Sequence, residues 1–546
     1  MGIFIYVDIS KAVTQEEWEK VYEETLTLVN EFPMAETARV KVKGVETYCL
    51  IRTEERTNKD KYSEVSKKGW AVSGDYESMV RAERDYTPRE LVDPRQYDPS
   101  AGDAIISSLP NCLDYAWDDK RFRNTYGIWG NKTQGYSFHM YLLAIACLIE
   151  DRLGDKAFVY GDITKGQCEV AVKMANEVLE KKIDMPARCY ADRLFERLNK
   201  LNISEAEKFT AFEYFYLSEM DGQYGGFIRE HFSKETLNEY WKKKFGELDV
   251  NVRGYDNRFS DFLTLGFALE DLCEYTKFVD KDGNSHYEDF VTRVMDAKLH
   301  IKEKDCSDPL KINQNSPNTY GIGTLLAQFV FGAARNLKVD RFIPIEEIRE
   351  TLVRKIGDKC DVNGIIDKYL QKEANEKEIN LKNKDISDEE LQEALDQDKS
   401  ETFKQVMNNK IENIKKEKEK YDISDLEDAK YFEKGDSMPD KMMEAIGKSR
   451  LFLDGMLKED DYRELSEKTA KEKKEWIAKH NEFLVVRDKD WKHIYGKIEK
   501  DKEAFGRYYS IMRADMSSTQ LNHMGVAFLI NDDFWNYSGE LAEKYA

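Results

Sequence analysis

Three short apolar runs in this sequence each end in an aspartate, and carboxylates at strand ends are groups that can do chemistry. Each run and the residues just after its aspartate form one of three stretches: Phe4–Ser10 (FIYVDIS), Trp70–Ser78 (WAVSGDYES) and Phe158–Thr164 (FVYGDIT). If their strands were parallel neighbours, Asp8, Asp75 and Asp162 would meet at one edge of a sheet, where α/β folds collect ligands. Clustered carboxylates bind Mg²⁺ or Mn²⁺, and a pair of such ions supports phosphoryl hydrolysis. The pattern therefore predicts, as one alternative, a metal-dependent hydrolase or nucleotidyl-transfer enzyme.

The same aspartates also fit a purely structural role. Aspartate is favoured where a strand turns into a helix, because its side chain caps the free N–H groups of the first turn. The likeness of FIYVDIS to FVYGDIT fits a duplicated strand–helix unit as well as it fits a shared site. We therefore favour capping over metal binding, and we predict that residues 3–8 and 157–161 are strands of one sheet.

Gly161 and Gly166 have the Gly-x-x-x-x-Gly spacing of a phosphate-binding loop between a strand and a helix. The chemistry of such a loop is missing, because Gln167 stands where the phosphate-binding lysine belongs and Cys168 where the magnesium-binding hydroxyl belongs. Cys168 shares a helical face with small apolar residues, so we predict that it is buried and unreactive. No histidine pair has metal-ligand spacing, and no Gly-x-Ser-x-Gly elbow occurs in the sequence.

An aromatic segment, YGIWG followed shortly by GYSFH, is the second candidate site. Tyr126, Trp129 and Tyr136 would line a groove, since Tyr and Trp are favoured at binding interfaces. Together with Asp162 they are the predicted binding residues. The alternative is that these rings pack on the apolar helix that follows them.

The elements that must position these residues begin with a mixed N-terminal region. Residues 1–200 combine strand and helix patterns, and they predict an α/β domain with a mixed sheet. Alternating polar and apolar residues on both sides of Lys43-Gly44 predict a β-hairpin.

The remainder of the chain is predicted to be mainly helical. Residues 201–360 carry aromatic-rich helical patterns and predict a helical domain, while residues 361–480 predict a charged helical section that contributes little to the main core. Residues 481–546 regain aromatics and predict a small α+β segment. Its predicted strands are Phe483–Val486, Tyr508–Met512 and Val526–Ile530. The predicted fold class is α+β, predominantly helical, in four sections.

Composition limits the classes of function. The chain has 105 acidic against 84 basic residues, a formal net charge of −21. This charge argues against direct contact with nucleic acid, since phosphate contacts need a basic surface, and it favours a basic protein partner. The longest apolar run, YLLAIACLI, is too short to span a bilayer, so no membrane association is expected. Eight scattered cysteines and an N-terminus without a signal-peptide pattern predict a cytoplasmic protein.

We interpret the chain as an intracellular, non-catalytic binding or regulatory protein that engages a basic protein partner and needs no cofactor. The bias towards Lys, Asn, Ile and Tyr suggests a bacterial protein. A bacterial immunity or defence component, which neutralises a toxin or nuclease, is one form that this role would take. The alternative is the metal-dependent enzyme that uses Asp8, Asp75 and Asp162 with Mg²⁺ or Mn²⁺.

Overall fold

The computed structural model of the chain describes residues 2–59, 66–91, 97–115, 123–301, 339, 341–382, 420–481, 484–501, 503–516 and 519–546. These residues form two compact units. The first unit contains the described residues of Met1–Ser108, Ala116–Pro186 and Ile411–Ala546, and the second contains those of Leu109–Tyr115 and Ala187–Lys410. The C-terminal residues therefore fold together with the N-terminal ones.

The strands of the first unit make up two antiparallel sheets. They are β1 (Ile5–Ser10), β2 (Met34–Val42), β3 (Val45–Arg52), β4 (Arg56–Lys59), β5 (Ser66–Asp75), β6 (Arg81–Pro88), β7 (Thr125–Trp129) and β8 (Ala157–Gly161). One sheet has the order β7–β1–β8, and the other has the order β3–β2–β5–β4 with β6 also paired to β5. Every described strand pair is antiparallel, so these strands do not form the expected mixed sheet.

The two similar runs lie in one sheet, as predicted, and they pair directly with each other. β1 and β8 are neighbours in one sheet, and Val7 lies opposite Val159. Ile5, Val7 and Ile9 share one face of β1, because successive side chains of a strand point to opposite faces. All three are fully buried. The helices that accompany this sheet are α1 (Gln15–Glu31), α2 (Phe138–Leu153) and α3 (Lys165–Val178).

The predicted hairpin is confirmed in the second sheet. β2 and β3 are antiparallel, and their pairing begins next to the turn, where Val42 lies opposite Val45. Lys43 and Gly44 both have positive φ, 43° and 83°, the conformation that two-residue hairpin turns require.

The second unit is helical in its described part. Its helices are α4 (Ala191–Asn199), α5 (Glu205–Phe215), α6 (Gly222–His231), α7 (Lys234–Gly246), α8 (Arg253–Thr264), α9 (Leu269–Tyr275), α10 (Tyr287–Asp296), α11 (Ile345–Ile356) and α12 (Val362–Lys382). Aromatic residues dominate its core: Phe209, Phe212, Phe245, Phe259 and Phe262 are fully buried. The aromatic-rich patterns thus mark helices that pack on one another.

The C-terminal part of the first unit is also helical. It contains α13 (Asp440–Met456), α14 (Asp460–Ser466), α15 (Ala470–Lys479), α16 (Asp488–Lys500), α17 (Ala504–Arg513), α18 (Thr519–Ile530) and α19 (Asp532–Tyr545). In the described residues, no helix is both long enough and apolar enough to cross a bilayer. These helices, together with the two sheets near the N-terminus, confirm a helix-rich α+β fold with an N-terminal α/β part.

Two of the predicted C-terminal strands are wrong. Tyr508–Met512 lies in α17 and Val526–Ile530 lies in α18. Short apolar runs do not distinguish a strand from a buried helix by periodicity, and every residue of Phe505–Met512 is buried, so no amphipathic pattern marks the helix. In the third run, residue 483 lies outside the described residues and residues 484–486 form a loop beside β3.

One hydrophobic core joins the hairpin of β2 and β3 to the C-terminal helices. It contains Cys49 and Leu50 from β3, Ile446 and Leu453 from α13, and Trp491 from α16, each at most 1% exposed. The C-terminal helices therefore cover one face of the N-terminal hairpin.

The charged section contributes more to this core than the sequence predicted. Residues 420–480 supply Ile423, Phe432 and Ile477 to it, all buried. The expectation that residues 361–480 add little to the main core is therefore wrong for this part, and residues 383–419 lie outside the described residues. The apolar residues are sparse in sequence, but they converge on the face turned towards β2 and β3.

Candidate functional site

Asp8 lies on β1 with a buried side chain and acts as a hydrogen-bond acceptor. Its Oδ2 atom accepts from the Ser107 hydroxyl (2.8 Å) and the Tyr160 hydroxyl (3.3 Å). Burial raises the pKa of the Asp8 carboxyl and outweighs the opposite effect of these two hydrogen bonds. The side chain thus holds the short 3₁₀ helix Ala104–Asn111 against the sheet.

Asp75 ends β5 and caps a turn. Its Oδ1 atom accepts from the backbone N–H groups of Glu77 (2.9 Å) and Ser78 (2.7 Å). The side chain is buried, and burial raises its pKa although these hydrogen bonds lower it. The turn leads into β6 and not into the helix that the sequence pattern indicated, but the capping role itself is the one expected.

Asp162 follows β8 and binds the backbone of the neighbouring strand. Its Oδ2 atom accepts from the N–H of Phe4 (2.9 Å). Gly161, just before it, has a φ of 116°, and a Cβ atom there would lie 2.6 Å from the carbonyl oxygen of Phe4. Both residues thus close the end of the β1–β8 pair.

The phosphate-loop-like segment is a capped helix start. The hydroxyl of Thr164 accepts from Gln167 N (3.2 Å), and the side chain of Gln167 accepts from Thr164 N (3.0 Å). This reciprocal capping box satisfies the N–H groups that a phosphate would need. Cys168 is fully buried, which confirms its predicted burial.

The three strand-end aspartates lie in different places. Asp8 is opposite Phe158 in the antiparallel pair, and Asp162 lies four positions beyond Phe158, about 13 Å at roughly 3.3 Å per residue. Asp75 belongs to the other sheet. Within the described ranges, no group of three or more His, Cys, Asp or Glu side chains could hold a metal ion. The three carboxylates therefore do not form a shared site.

The predicted aromatic binding residues also separate. Trp129 is buried, its Nε1–H donates to the Thr87 hydroxyl (2.8 Å), and its ring packs edge-on against Trp70. Trp129 is therefore an internal residue with contacts to β5 and β6, whereas the alternative placed its ring on the helix that follows. Tyr126 lies on β7 with the ammonium group of Lys11 5.9 Å from its ring, and Tyr136 is 37% exposed. Tyr126 and Tyr136 stay predicted binding residues.

In the second unit, one carboxyl group has a strongly shifted pKa. Burial raises the pKa of Glu213 to about 7, and Asp261 contributes to the rise. The hydroxyl of Tyr240 donates a hydrogen bond to this carboxyl group, and the Tyr240 ring packs edge-on against Phe209. A pair of this kind occurs in acid–base sites and in helix packing alike. Here the phenol hydrogen bond ties α7 to α5.

A cleft of about 840 Å³ in the first unit was not found by sequence reasoning. Small-molecule sites are roughly 300–1,000 Å³ in volume. Five segments line the cleft: Arg52, residues 76–77, residues 430–433, residues 487–490 without Asp488, and residues 530–533. No local pattern in the sequence indicated that these five segments lie together.

Three basic side chains surround one tyrosine ring in this cleft. The charged groups of Arg52, Arg487 and Lys489 lie 5.8, 5.8 and 5.9 Å from the ring centroid of Tyr76. The Tyr76 hydroxyl donates to Asp488 Oδ1 (3.1 Å). Burial and this acidic neighbour raise the pKa of Tyr76 to about 12, so the phenol is neutral at pH 7.

Two carboxylates of the cleft are already engaged in ion pairs. Asp490 binds Arg487 (2.5 Å), and Asp532 binds both Lys497 (2.7 Å) and Arg507 (2.6 Å). Burial would raise the pKa of Asp532, but its hydrogen bonds to the two basic residues lower it to about 2. Asp532 is therefore ionised at neutral pH, and both carboxylates are paired with basic side chains.

A buried arginine and an asparagine fix the far wall of the cleft. Arg507, 8% exposed, donates to three carbonyl groups in residues 528–531. The side-chain amide of Asn531 donates to the carbonyls of Lys430 (3.2 Å) and Phe432 (2.8 Å). The wall is therefore held by hydrogen bonds that need no ligand.

The sequence matches no protein-family profile, and neither a curated protein nor a solved structure matches the chain. The functional interpretation therefore rests on the chain's own residues and their geometry.

Proposed function

We propose that this protein is a non-catalytic binding protein that engages a basic protein partner through its acidic surface in the cytoplasm. The observation that carries the proposal is the excess of 105 acidic over 84 basic residues. A surface of this sign speeds encounter with a basic protein and repels polyanions. The specific role we favour is a bacterial immunity or defence component whose partner is a toxin or nuclease.

The positions of the candidate catalytic groups support binding over chemistry. Catalysis at neutral pH needs an activated nucleophile, a tuned acid–base pair or a held metal ion. Asp8, Asp75 and Asp162 instead accept structural hydrogen bonds at separate points of the sheets. Asp75 caps a turn, as expected, whereas Asp8 holds a 3₁₀ helix and Asp162 closes a strand end.

The test is capture of partners with the full-length chain, identification by mass spectrometry, and calorimetry with the purified partner. We expect a basic partner whose dissociation constant rises from low to physiological salt, because screening weakens attraction between opposite surface charges. A neutral protein of similar size is the control and should not bind. An affinity that does not change with salt would contradict the proposal. So would Mg²⁺- or Mn²⁺-dependent turnover of a nucleotide or phosphoester that is lost in Asp8→Asn or Asp162→Asn.

A further inference from the structure

Four basic and five acidic side chains line the cleft, and two of the partly buried basic ones are not paired with a carboxylate of the described residues. Arg52 and Lys430 are partly buried there. Over the described ranges, no carboxylate oxygen lies within 4.0 Å of either charged group. Two of the carboxylates that line the cleft are paired with other basic residues, Asp490 with Arg487 and Asp532 with Lys497 and Arg507. A wall of this kind attracts an anion, because guanidinium and ammonium groups form strong charge-assisted hydrogen bonds to phosphate and carboxylate.

An aromatic ring stands next to this charge. Tyr431 lines the cleft and is 66% exposed, so solvent reaches its ring. The ammonium group of Lys430 lies 5.1 Å from the centroid of this ring. The next residue, Phe432, is buried and stacks on Tyr537, with centroids 5.1 Å apart. The backbone of this segment is therefore anchored while the Tyr431 ring stays available for stacking against a planar ligand.

The exposed edge of the cleft limits the charge of such a ligand. Glu77, Glu433 and Asp533 line the cleft and are exposed. These carboxylates repel a ligand with several negative charges, and they can accept hydrogen bonds from hydroxyl or amino groups. The site therefore favours one anionic group over a polyphosphate chain.

We propose that this cleft binds a small aromatic anion, a planar ring that carries a single phosphate or carboxylate group. Arg52 and Lys430 bind the anionic group, and Tyr431 stacks on the ring. The hydrogen bonds of Arg507 and Asn531 hold the wall in place, so little ordering cost opposes binding.

The first test is calorimetry of the full chain with phenyl phosphate, benzoate, inorganic phosphate and benzyl alcohol. We expect phenyl phosphate or benzoate to bind at least about tenfold more tightly than either fragment, since both the charge and the ring contribute. The stronger of the two identifies the anionic group. In a second pair of probes, AMP should bind more tightly than ATP. Equal binding of benzyl alcohol, equal binding of inorganic phosphate, tighter binding of ATP, or no binding of any probe would overturn the proposal.

The second test uses matched variants. Lys430→Met should weaken binding of the better aromatic anion about tenfold, whereas Lys434→Met, an exposed lysine of the same segment outside the cleft, should leave it unchanged. Tyr431→Leu should weaken the aromatic anion and leave inorganic phosphate unchanged, with Tyr97→Leu, another exposed tyrosine, as its control. Thermal unfolding shows that each variant is folded, and Arg52→Gln replaces Lys430→Met if that variant is not. Equal effects of a variant and its control would overturn the assignment.

Discussion

Tyr6 on β1 and Tyr160 on β8 lie opposite each other across an antiparallel strand pair, with ring centroids 4.8 Å apart and planes inclined by 14°. The similar runs FIYVDIS and FVYGDIT thus place the same residue type on the same face of one sheet. Their opposite directions, however, carry Asp8 and Asp162 to different ends of the pair. The relationship explains why two matching sequences produce a stacked aromatic pair and no carboxylate cluster.

Replacing Asp8 with Asn should raise the free energy of unfolding relative to the parent by an amount that grows as the pH rises from about 4 to about 7. Burial raises the pKa of Asp8, so the folded protein holds this proton more tightly than the unfolded chain. The stability that this proton contributes is present at low pH and is lost as the pH rises through the folded pKa. Asn is neutral throughout and has no such loss. Urea denaturation over this pH range measures the difference, and a difference that does not change with pH would contradict the prediction.

Ser107→Ala provides a second test of the same carboxyl group. The Ser107 hydroxyl lowers the pKa of Asp8, so its removal should make the loss of stability with rising pH larger than in the parent. The same denaturation series measures it, and a smaller loss would count against the assigned contact.

Gly161→Ala should destabilise the first unit by about 1–3 kcal/mol. The residue has positive φ, and a Cβ atom would lie 2.6 Å from the Phe4 carbonyl oxygen. Gly166→Ala is the control, because nothing lies within 4 Å of a Cβ atom there and the residue is helical. Denaturant midpoints should fall for the first variant and stay or rise for the second. A similar fall in both would show that the β1–β8 end is not tightly packed.

Arg507→Met should lower the free energy of unfolding by about 3 kcal/mol, because it leaves buried carbonyl oxygens without their donor and Asp532 without one of its basic partners. The control is Arg463→Met, whose exposed ion pair with Asp460 should contribute less than about 1 kcal/mol. Urea unfolding followed by circular dichroism measures both. If the two variants had equal stability, the hydrogen bonds of Arg507 would not stabilise the wall of the cleft.

Leu453→Ala should cost about 2–4 kcal/mol of stability, whereas the adjacent Phe452→Ala should cost about 0.5 kcal/mol or less. Leu453 is 1% exposed in the core shared with the N-terminal hairpin, and Phe452 is 63% exposed. The pair tests whether the charged section is part of this core. A cost for Leu453→Ala as small as that for Phe452→Ala would show that α13 packs only loosely.

Features that depend on neighbouring residues in sequence could be predicted well. The hairpin at Lys43-Gly44, the capping of a turn by Asp75 and the burial of Cys168 all follow from local backbone preferences and helical periodicity. The helical state of Tyr508–Met512 could not be predicted in this way, because a segment buried on all sides loses the polar face that identifies a helix. Its environment, not its own pattern, determines its conformation.

By itself, the sequence determined the helix-rich α+β class, the presence of two similar runs in one sheet and the strongly acidic character of the chain. Only the tertiary structure decided that β1 and β8 run antiparallel, that the C-terminal helices cover the hairpin of β2 and β3, and that Arg52, Tyr76 and Lys430 meet in one cleft. The physical reason is the sequence separation over which each effect acts. Propensity, capping and periodicity act between residues a few positions apart, whereas strand direction and the cleft arise from the total burial of surfaces contributed by residues several hundred positions apart, and no local pattern encodes that total.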